Sequence, residues 1–268
     1  MKFTFDHDYH IHSCLSVCSK NPMQTKENIL KNAKAAGLKS IALTDHFWDS
    51  AAIEPTTDFY RKQNLDHIKQ SLPLPTDDEV EFLFGAEADM DANCKIAITR
   101  ETLDFLDFIT VSTTHLHMKG LTITSEDYNS DDVRASLWEK RMMALLTSDM
   151  PFHKMGIAHP ACRLIDNRSR GHYLKALDQI TNESMEKVFA KAAEVGIGVE
   201  LNYTDMMFSE DEADTVLRMF KIAKAYGCKF YCGSDAHGPL NLLAIRSRYE
   251  QVADILGLTE NDKFHIEK

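Results

Sequence analysis

Short apolar runs recur along the chain, and stretches with helical periodicity lie between them. Seven of these runs have the length and the aliphatic and aromatic content of β-strands: residues 3–11, 40–45, 80–86, 108–114, 156–158, 198–201 and 229–232. Strands that alternate with helices in this way form a parallel sheet with helical crossovers. Seven such units favour a barrel over an open sheet, so the pattern predicts an α/β barrel.

The spacing of polar and apolar residues between the strands indicates where helices begin and end. Thr25 can cap a helix that ends at Gly37, and Ser209 with Glu212 forms a capping box for a helix ending at Gly227. A third segment places apolar residues at the spacing of one helical face. These residues are Met185, Val188, Phe189, Ala192 and Ala193. We expect this face to pack against the sheet.

Histidines and acidic residues are concentrated where the predicted strands end. In parallel α/β barrels, the loops that follow the carboxyl ends of the strands converge and carry the chemistry. The residues at these ends are His10, His12, Asp45, His46, Glu87, His115, His159, Glu200, Asn202, Asp235 and His237. Six of the twelve histidines lie in these short windows. The pattern predicts that they meet at one end of the barrel.

A cluster of this kind needs a cation to hold it together. Neutral imidazoles and ionised carboxylates are costly to bury side by side without one. Six histidines with two or three carboxylates are also too many ligands for one tetrahedral zinc ion, which takes about four. The count therefore predicts two or three divalent ions. Mixed nitrogen and oxygen ligation suits zinc, with manganese and iron as alternatives.

Composition narrows the class of protein. A chain of 268 residues fits a single domain over residues 1–268, and 44% hydrophobic with 26% charged residues can form a packed core. No apolar run approaches the roughly 20 residues of a membrane span, and the N-terminal segment lacks the apolar core of a signal peptide. We therefore expect a cytoplasmic protein. Its six cysteines include no CxxC pair and should be free thiols there.

The charge of the chain bears on its partners. A formal net charge of −11 argues against extended nucleic acid, which needs a basic surface to displace its counterions. A small anionic substrate still fits, because bound metal ions would make the site itself positive. The sequence leaves open whether the chain forms a homo-oligomer.

Taken in order, these motifs resemble the PHP family, the polymerase and histidinol phosphatase superfamily. The correspondence comprises HxH at His10 and His12, TDH ending at His46, Glu87, the single histidines His115 and His159, and DxH at Asp235 and His237. The resemblance implies a distorted (β/α)7 TIM-like barrel with a di- or trinuclear metal centre at the C-terminal ends of the strands. It also implies hydrolysis of phosphate esters by a metal-bound hydroxide.

The resemblance further implies which residues hold which ion. The first ion is assigned to His10, His12, Glu87 and Asp235, the second to Glu87, His115 and His159, and the third to His46, His237 and one further residue. Related phosphatases have a histidine six residues after the second histidine of HxH, where this chain has Cys18. Because thiolate is a good zinc ligand, we expect Cys18 to complete the third site. The alternative is a free cysteine beside an incomplete, weakly occupied site.

Catalytic roles beyond the ligands Glu87 and Asp235 are expected for two residues. Arg163 follows His159 in a loop that should overhang the mouth of the barrel, and its planar guanidinium matches phosphate. His117 shares strand parity with His115 and either protonates the leaving group or lines the entrance.

Four further polar residues are expected to support the site. Asp8 and Asp45 are neighbours of ligands and can accept the second ring N–H of a ligating histidine. Glu200 and Asn202 occupy a strand end without a metal role in the family pattern, so we assign them to support of the site or to substrate contact.

The predicted function is hydrolysis of a phosphate monoester of a small metabolite, with histidinol phosphate as the nearest family precedent. A nuclease or a nucleotide phosphatase is the alternative enzyme, although no basic stretch studded with aromatic residues favours it. A metal-stabilised domain without activity is the third hypothesis. That hypothesis would lead us to expect missing ligands, whereas only the position of Cys18 is changed.

Overall fold

Parallel strands, arranged in chain order, form the central sheet of the protein. The computed structural model describes residues 1–130, 132–240 and 242–267. Within these ranges the sheet order is β1-β2-β4-β5-β6-β7-β8, and a short β3 pairs with β4 outside this path. The strands are β1 (His7–Ile11), β2 (Ser40–Leu43), β3 (His46–Phe47), β4 (Glu81–Asp89), β5 (Phe108–Ser112), β6 (Met155–Ile157), β7 (Gly198–Asn202) and β8 (Lys229–Gly233).

Helices surround the sheet and pack on one another in sequence. They are α1 (Lys26–Ala35), α2 (Asp58–Arg61), α3 (Leu65–Ile68), α4 (Arg100–Phe105), α5 (Ser125–Tyr128), α6 (Arg134–Leu146), α7 (Arg170–Gln179), α8 (Asn182–Val195), α9 (Ala213–Ala225) and α10 (Leu242–Leu256). Helix α8 lies between α6 and α9, and α10 contacts both α9 and α1. The helices of the outer layer are therefore arranged around the barrel in the same order as the strands. None of the described helices has the length and apolar character of a membrane span.

The seam between the first and last strands nearly closes the barrel. Backbone hydrogen bonds join the two segments just beyond the carboxyl ends of the strands: Asp235 N–H donates to the His10 carbonyl at 2.7 Å, and His12 N–H donates to the Ala236 carbonyl at 3.1 Å. Ile11 and Ala236 form a parallel bridge at the same level. The α/β barrel predicted from the sequence is therefore confirmed, with its closure located beside two candidate ligands.

All seven predicted strands are present, although their ends differ from the expected ones. The first strand begins at His7 instead of residue 3, and β4 continues to Asp89, beyond the predicted end at residue 86. The helix boundaries agree more closely, because Thr25 accepts a hydrogen bond from the Asn28 amide as the cap of α1. The capping box of Ser209 is also present, although it opens a 3₁₀ turn that leads into α9.

Aromatic residues fill the interior of the barrel below the strand ends. A small buried cluster contains Tyr9, Ala42, Leu83, Phe108, Tyr231 and Phe264. The Tyr9 and Phe108 rings lie 5.5 Å apart although their strands are not neighbours in the sheet, so they meet across the interior. Above them Gly233 leaves room for polar side chains, since a Cβ atom there would overlap Glu200 and lie 2.7 Å from the His10 Cβ.

A buried arginine fixes two of the loops that carry site residues. Arg141, on α6, donates to the backbone carbonyls of Met90 at 3.0 Å and Asp91 at 2.7 Å, just after β4. Its Nε also donates to the Thr113 carbonyl at 2.6 Å, just after β5. These hydrogen bonds satisfy the donors of the buried guanidinium, and they fix the distance between the ends of β4 and β5.

Candidate metal centre

The strand-end histidines and carboxylates lie together at one end of the barrel. Within the described residues, four overlapping groups have possible ligand atoms that all lie within 4.8 Å of one another. The groups are His10, His12 and Glu87; Glu87, His115 and His159; His10, His159 and Asp235; and His12, His46 and His237. The structure therefore brings eight of the nine predicted ligand residues into these groups, leaving Cys18 beside them.

The first group has the spacing of a ligand shell. His10 Nε2 and His12 Nε2 lie 3.1 Å apart, and His12 Nε2 lies 3.1 Å from Asp235 Oδ1. Glu87 Oε2 lies 3.6 Å from His10 Nε2 and 3.4 Å from His12 Nε2. Ligands at about 2.1 Å from a tetrahedral ion stand about 3.4 Å from one another. His10, His12 and Glu87 therefore have the spacing of ligands of one divalent ion, and Asp235 lies beside the two histidines.

Glu87 extends its second oxygen to another pair of histidines. Its Oε1 lies 3.0 Å from His159 Nε2 and 3.9 Å from His115 Nε2, and it accepts a hydrogen bond from the Ser112 hydroxyl. The carboxylate, 1% exposed, thus has one oxygen in each of two adjacent ligand groups. This is the arrangement that a bridging carboxylate needs.

His46 and His237 form a third group with His12. The register of the sheet explains the position of His46. Residues 46 and 87 are direct register partners of β3 and β4, which places the His46 ring against Glu87. His46 Nδ1 lies 2.6 Å from Glu87 Oε2, an ion pair when the ring is protonated. Neither atom has a hydrogen bond within the described part of the chain, so a cation at this position could take the place of the ring proton.

Cys18 lies next to this third group instead of inside it. The thiol is half-buried and hydrogen-bonds with His237 and His46. Burial raises the pKa of the thiol, but these two histidines outweigh burial and bring it down to about 7. The sulfur is therefore easily ionised where a third ion would need a ligand.

Hydrogen bonds to Nδ1 leave Nε2 of several histidines directed at the centre. His10 Nδ1–H donates to Glu200 Oε1 at 2.9 Å, because a carboxylate can only accept. The Ser16 hydroxyl donates to Asp45 at 2.6 Å, so it must accept from His12 Nδ1–H at 3.0 Å. Both rings therefore keep a free Nε2 lone pair when they are neutral, which is the tautomer that a metal requires.

The same orientation holds for three more rings. His115 Nδ1–H donates to Asp89 Oδ1 at 2.9 Å, and the Tyr60 hydroxyl donates to the other oxygen of Asp89. The Thr114 hydroxyl donates to the His159 carbonyl at 3.1 Å and accepts from His159 Nδ1–H at 3.0 Å. His237 Nδ1–H donates to the Asp235 carbonyl at 2.8 Å.

Charge within the cluster is balanced between carboxylates and imidazoles. Burial alone would lower the pKa of His10, but Glu200, Asp235 and Glu87 raise it well above its ordinary value. Burial likewise opposes ionisation of Glu87, yet the charges on His46 and His10 hold its pKa well below the usual range. The carboxylates are thus ionised, and a divalent ion would supply the positive charge that a ring proton otherwise provides.

Two ligand positions have unusual backbone conformations. His159 and Asp235 have φ angles of 29° and 53°, in the left-handed region that residues with a Cβ rarely adopt. Both follow directly on a strand end, where the chain must turn to direct the side chain inward. Strain of this kind is concentrated at functional sites, where surrounding packing maintains it.

Two further predicted residues, Arg163 and His117, line cavities beside the candidate metal centre. Arg163 is exposed, lines a cavity that Asp235 also lines, and makes no side-chain hydrogen bond or ion pair within the described residues. His117 lines the cavity that Glu87 and His115 also line. Burial there lowers the pKa of its imidazole to about 4, so the ring is neutral at neutral pH. This state suits a residue that lines the entrance better than one that gives up a proton.

The supporting roles are distributed differently from the expectation. Within the described residues neither Asp8 nor Asp45 accepts directly from an imidazole, and Asp45 acts on His12 through Ser16. Asp8 accepts from the backbone amides of Ser234 at 2.9 Å and His10 at 3.3 Å. Glu200 instead makes the direct contact, and Asn202 supports it by donating to Oε1 at 3.1 Å.

Sequence reasoning missed Asp89, the partner of His115. Its position two residues after Glu87 on one strand was an available signal, because alternate residues of a strand face the same side. Asp89→Asn is expected to lower metal affinity about 10- to 100-fold, since an amide stabilises the ligating tautomer of His115 less well. Titration against a chromogenic chelator measures this, with Asp91→Asn in the following loop as the matched control. Equal affinities of the two variants would contradict the assignment.

Two known proteins resemble this chain, one in sequence and one in fold. A protein of Caldicellulosiruptor saccharolyticus described as a probable phosphatase is 24% identical over 225 residues, which is 84% of this chain and 78% of that protein. The crystal structure of histidinol phosphate phosphatase from Lactococcus lactis, complexed with zinc, L-histidinol and phosphate, has a similar fold. It superposes with a TM-score of 0.60 at 19% identity and covers 98% of this chain and 99% of that one.

The match to a family model identifies the family more specifically than the similarity to either relative does. The model of the PHP domain family matches residues 8–204, which is most of the chain. This range contains the HxH motif, Glu87, His115 and His159, and the structure adds Asp235 and His237 from the segment after the last strand. The chain belongs to the PHP domain family.

Proposed function

We propose that this protein is a metal-dependent phosphoesterase that hydrolyses phosphate monoesters of small metabolites. The observation that carries the proposal is the ligand-shell spacing of His10, His12, Glu87 and Asp235, with Glu87 extending to His115 and His159. The relatives support the reaction class, since one is described as a probable phosphatase and the other binds zinc, L-histidinol and phosphate.

The residues present suit two to three divalent ions, and zinc is the first choice. Imidazole nitrogens and carboxylate oxygens are suitable zinc donors, with manganese and iron as alternatives. When bound, such ions lower the pKa of water and stabilise the charge that develops on phosphoryl oxygens. Glu87 and Asp235 would anchor these ions, and their hydrogen-bonded histidine partners would fix the positions of the ions.

Arg163 is proposed to hold the phosphoryl group. Its guanidinium is uncommitted within the described residues and lines a cavity beside Asp235. A planar fork of N–H donors binds phosphate oxygens in pairs. Glu87 and Asp235 would hold the ions, while His117 borders the space for the rest of the substrate.

The whole chain is proposed to act as one domain in the cytoplasm. Asp235 and His237 lie after the family match yet complete the ligand groups, so the last strand and the first act together. The six cysteines are all free, as a reducing compartment would keep them.

The function is tested with purified protein loaded with zinc or manganese. We expect two to three ions per chain, release of phosphate from p-nitrophenyl phosphate, and little action on its bis-ester. A panel of phosphorylated metabolites that includes histidinol phosphate then identifies the preferred ester. Preference for the bis-ester would indicate a diesterase or nuclease, and absence of hydrolysis with one ion or none would indicate a domain without activity.

Cys18 is proposed as the ligand that completes the third group. Cys18→Ala is expected to lower the metal content by one ion per chain at limiting metal, because its sulfur is the ionisable donor beside His46 and His237. Cys14→Ala is the matched control, since Cys14 is exposed and four residues away. Cys18→His should restore the ion. An unchanged metal content in Cys18→Ala, measured by mass spectrometry of the metal, would show that the cysteine is not a ligand.

A further inference from the structure

A cavity of about 510 Å³ opens directly above the candidate metal centre. Its floor consists of candidate ligands, among them Glu87, His115 and Asp235. Its sides consist of Thr57, Phe59, Tyr60, His117, Met118 and Leu164. This volume lies within the range of small-molecule sites, so the sides of the cavity must contact whatever the phosphoryl group is attached to.

Three of these side residues are hydrocarbon or thioether, and we call Phe59, Met118 and Leu164 the apolar wall. Phe59 and Met118 pack on a separate small core that includes Trp48, Tyr60 and Leu121. Since that core is buried, Phe59 and Met118 are held in place before any substrate binds.

Polar groups on the sides of the cavity are few. The Tyr60 hydroxyl is already committed to Asp89. Thr57 Oγ1 and His117 Nδ1 are buried atoms without a hydrogen-bond partner in the described part of the chain. No lysine or arginine is among the described residues that line this cavity, and its only carboxylates are the candidate ligands Glu87 and Asp235.

Positive charge lies on the other side of Leu164. A second cavity of about 360 Å³ shares Leu164 and Asp235 with the first and is lined by Arg163 and Arg170. Arg170 is paired with Glu212, whereas Arg163 makes no such pair within the described residues. A substrate at Asp235 therefore meets a cation on the side of Arg163 and hydrocarbon on the side of the apolar wall.

We propose that the apolar wall selects phosphate monoesters of uncharged alcohols that carry a compact apolar or aromatic group. The phosphoryl group lies toward Asp235 and Arg163, and the alcohol portion lies against Phe59, Met118 and Leu164. Thr57 Oγ1 and His117 Nδ1 can pair with one or two polar atoms of the alcohol. A second phosphate or an ammonium group would meet no opposite charge on the sides of the cavity, and a row of hydroxyls would lose more hydrogen bonds to water than these two groups replace. This inference rests on the phosphatase activity proposed above.

Two esters of primary alcohols separate the inference from the proposed function. The zinc- or manganese-loaded protein is assayed with benzyl phosphate and with glycerol 3-phosphate, whose leaving groups are similar in basicity. We expect kcat/KM to favour benzyl phosphate by at least about tenfold, and phosphoethanolamine to be as poor as glycerol 3-phosphate. Equal rates, or preference for either polar ester, would overturn the inference while leaving the phosphatase intact. Hydrolysis of p-nitrophenyl phosphate but of none of the three esters would overturn the inference alone, and hydrolysis of none of the four would overturn both.

Variants of the apolar wall test the same point within one protein. Leu164→Ala and Phe59→Ala are expected to raise KM for benzyl phosphate about tenfold and to change KM for glycerol 3-phosphate little, with metal content unchanged. Phe105→Ala is the control, because Phe105 is 45% exposed on α4, which leads into the opposite end of the barrel. An equal loss for both substrates in Leu164→Ala and Phe59→Ala would mean that the wall supports the metal centre instead of recognising the alcohol.

Discussion

Glu87→Gln is expected to reduce phosphatase activity about a thousandfold or more and to remove at least one metal ion per chain. The reason is that each oxygen of the Glu87 carboxylate lies close to candidate ligand histidines. One oxygen lies 3.0 Å from His159 Nε2, and the other lies 3.4 Å from His12 Nε2 and 3.6 Å from His10 Nε2. Glutamine replaces one of these oxygens with an NH₂ group, which is not a ligand, and removes the charge that two ions would share.

The measurement combines activity with metal content. Glutamine has nearly the shape of glutamate, so the circular dichroism spectrum and melting temperature of the metal-free protein report whether the fold is retained. Glu81→Gln is the matched control, because Glu81 is exposed at the start of the same strand. Activity of Glu87→Gln within a few-fold of that of the control, at full metal content, would exclude Glu87 as a bridging ligand.

Removal of the ions with a chelator is expected to abolish activity and to lower the melting temperature by about 10 °C. A ligand that is present at a thousandfold excess over its Kd stabilises the folded state by about 4.1 kcal/mol. In a protein of this size each kcal/mol corresponds to roughly 2–4 °C. Loss of the ions would also leave Glu87 and Asp235 buried among the histidines with protons as their only counter-charges.

Calorimetry of the chelated protein with and without added zinc measures this effect. Activity should return with the ions, because the side chains that orient the histidines are themselves held by hydrogen bonds that contain no metal. A chelated protein that keeps both its activity and its melting temperature, with metal analysis confirming removal, would contradict a metal centre at this end of the barrel.

The fold and the convergence of the site residues could be predicted from the sequence because both follow from periodicity. Apolar runs and the helices between them identified the barrel, and the rule that chemistry lies at the carboxyl ends of parallel strands identified His10, Glu87 and Asp235. Strand ends were less predictable. Phe3 and Phe5 are buried as expected of a strand, but their burial comes from packing beside β1 and not from sheet pairing.

The supporting hydrogen bonds could not be predicted in the same way. Ser16 reaches His12 because the loop after β1 folds back toward Asp45, and Thr114 reaches His159 from a different strand. Such contacts depend on how loops pack, which no local pattern encodes. Sequence proximity suggested Asp8 and Asp45 as acceptors from the histidine rings, whereas the acceptor from His10 is Glu200, which is distant in sequence and near in space.

The seam between β1 and β8 also has a consequence for the order of events during synthesis. His10 and His12 are synthesised more than two hundred residues before Asp235 and His237. The backbone hydrogen bonds of the seam join His10 to Asp235 and His12 to Ala236, so closure of the ring is also the step that brings the two sets of candidate ligands together. Firm capture of an ion during folding would therefore wait until β8 has docked against β1.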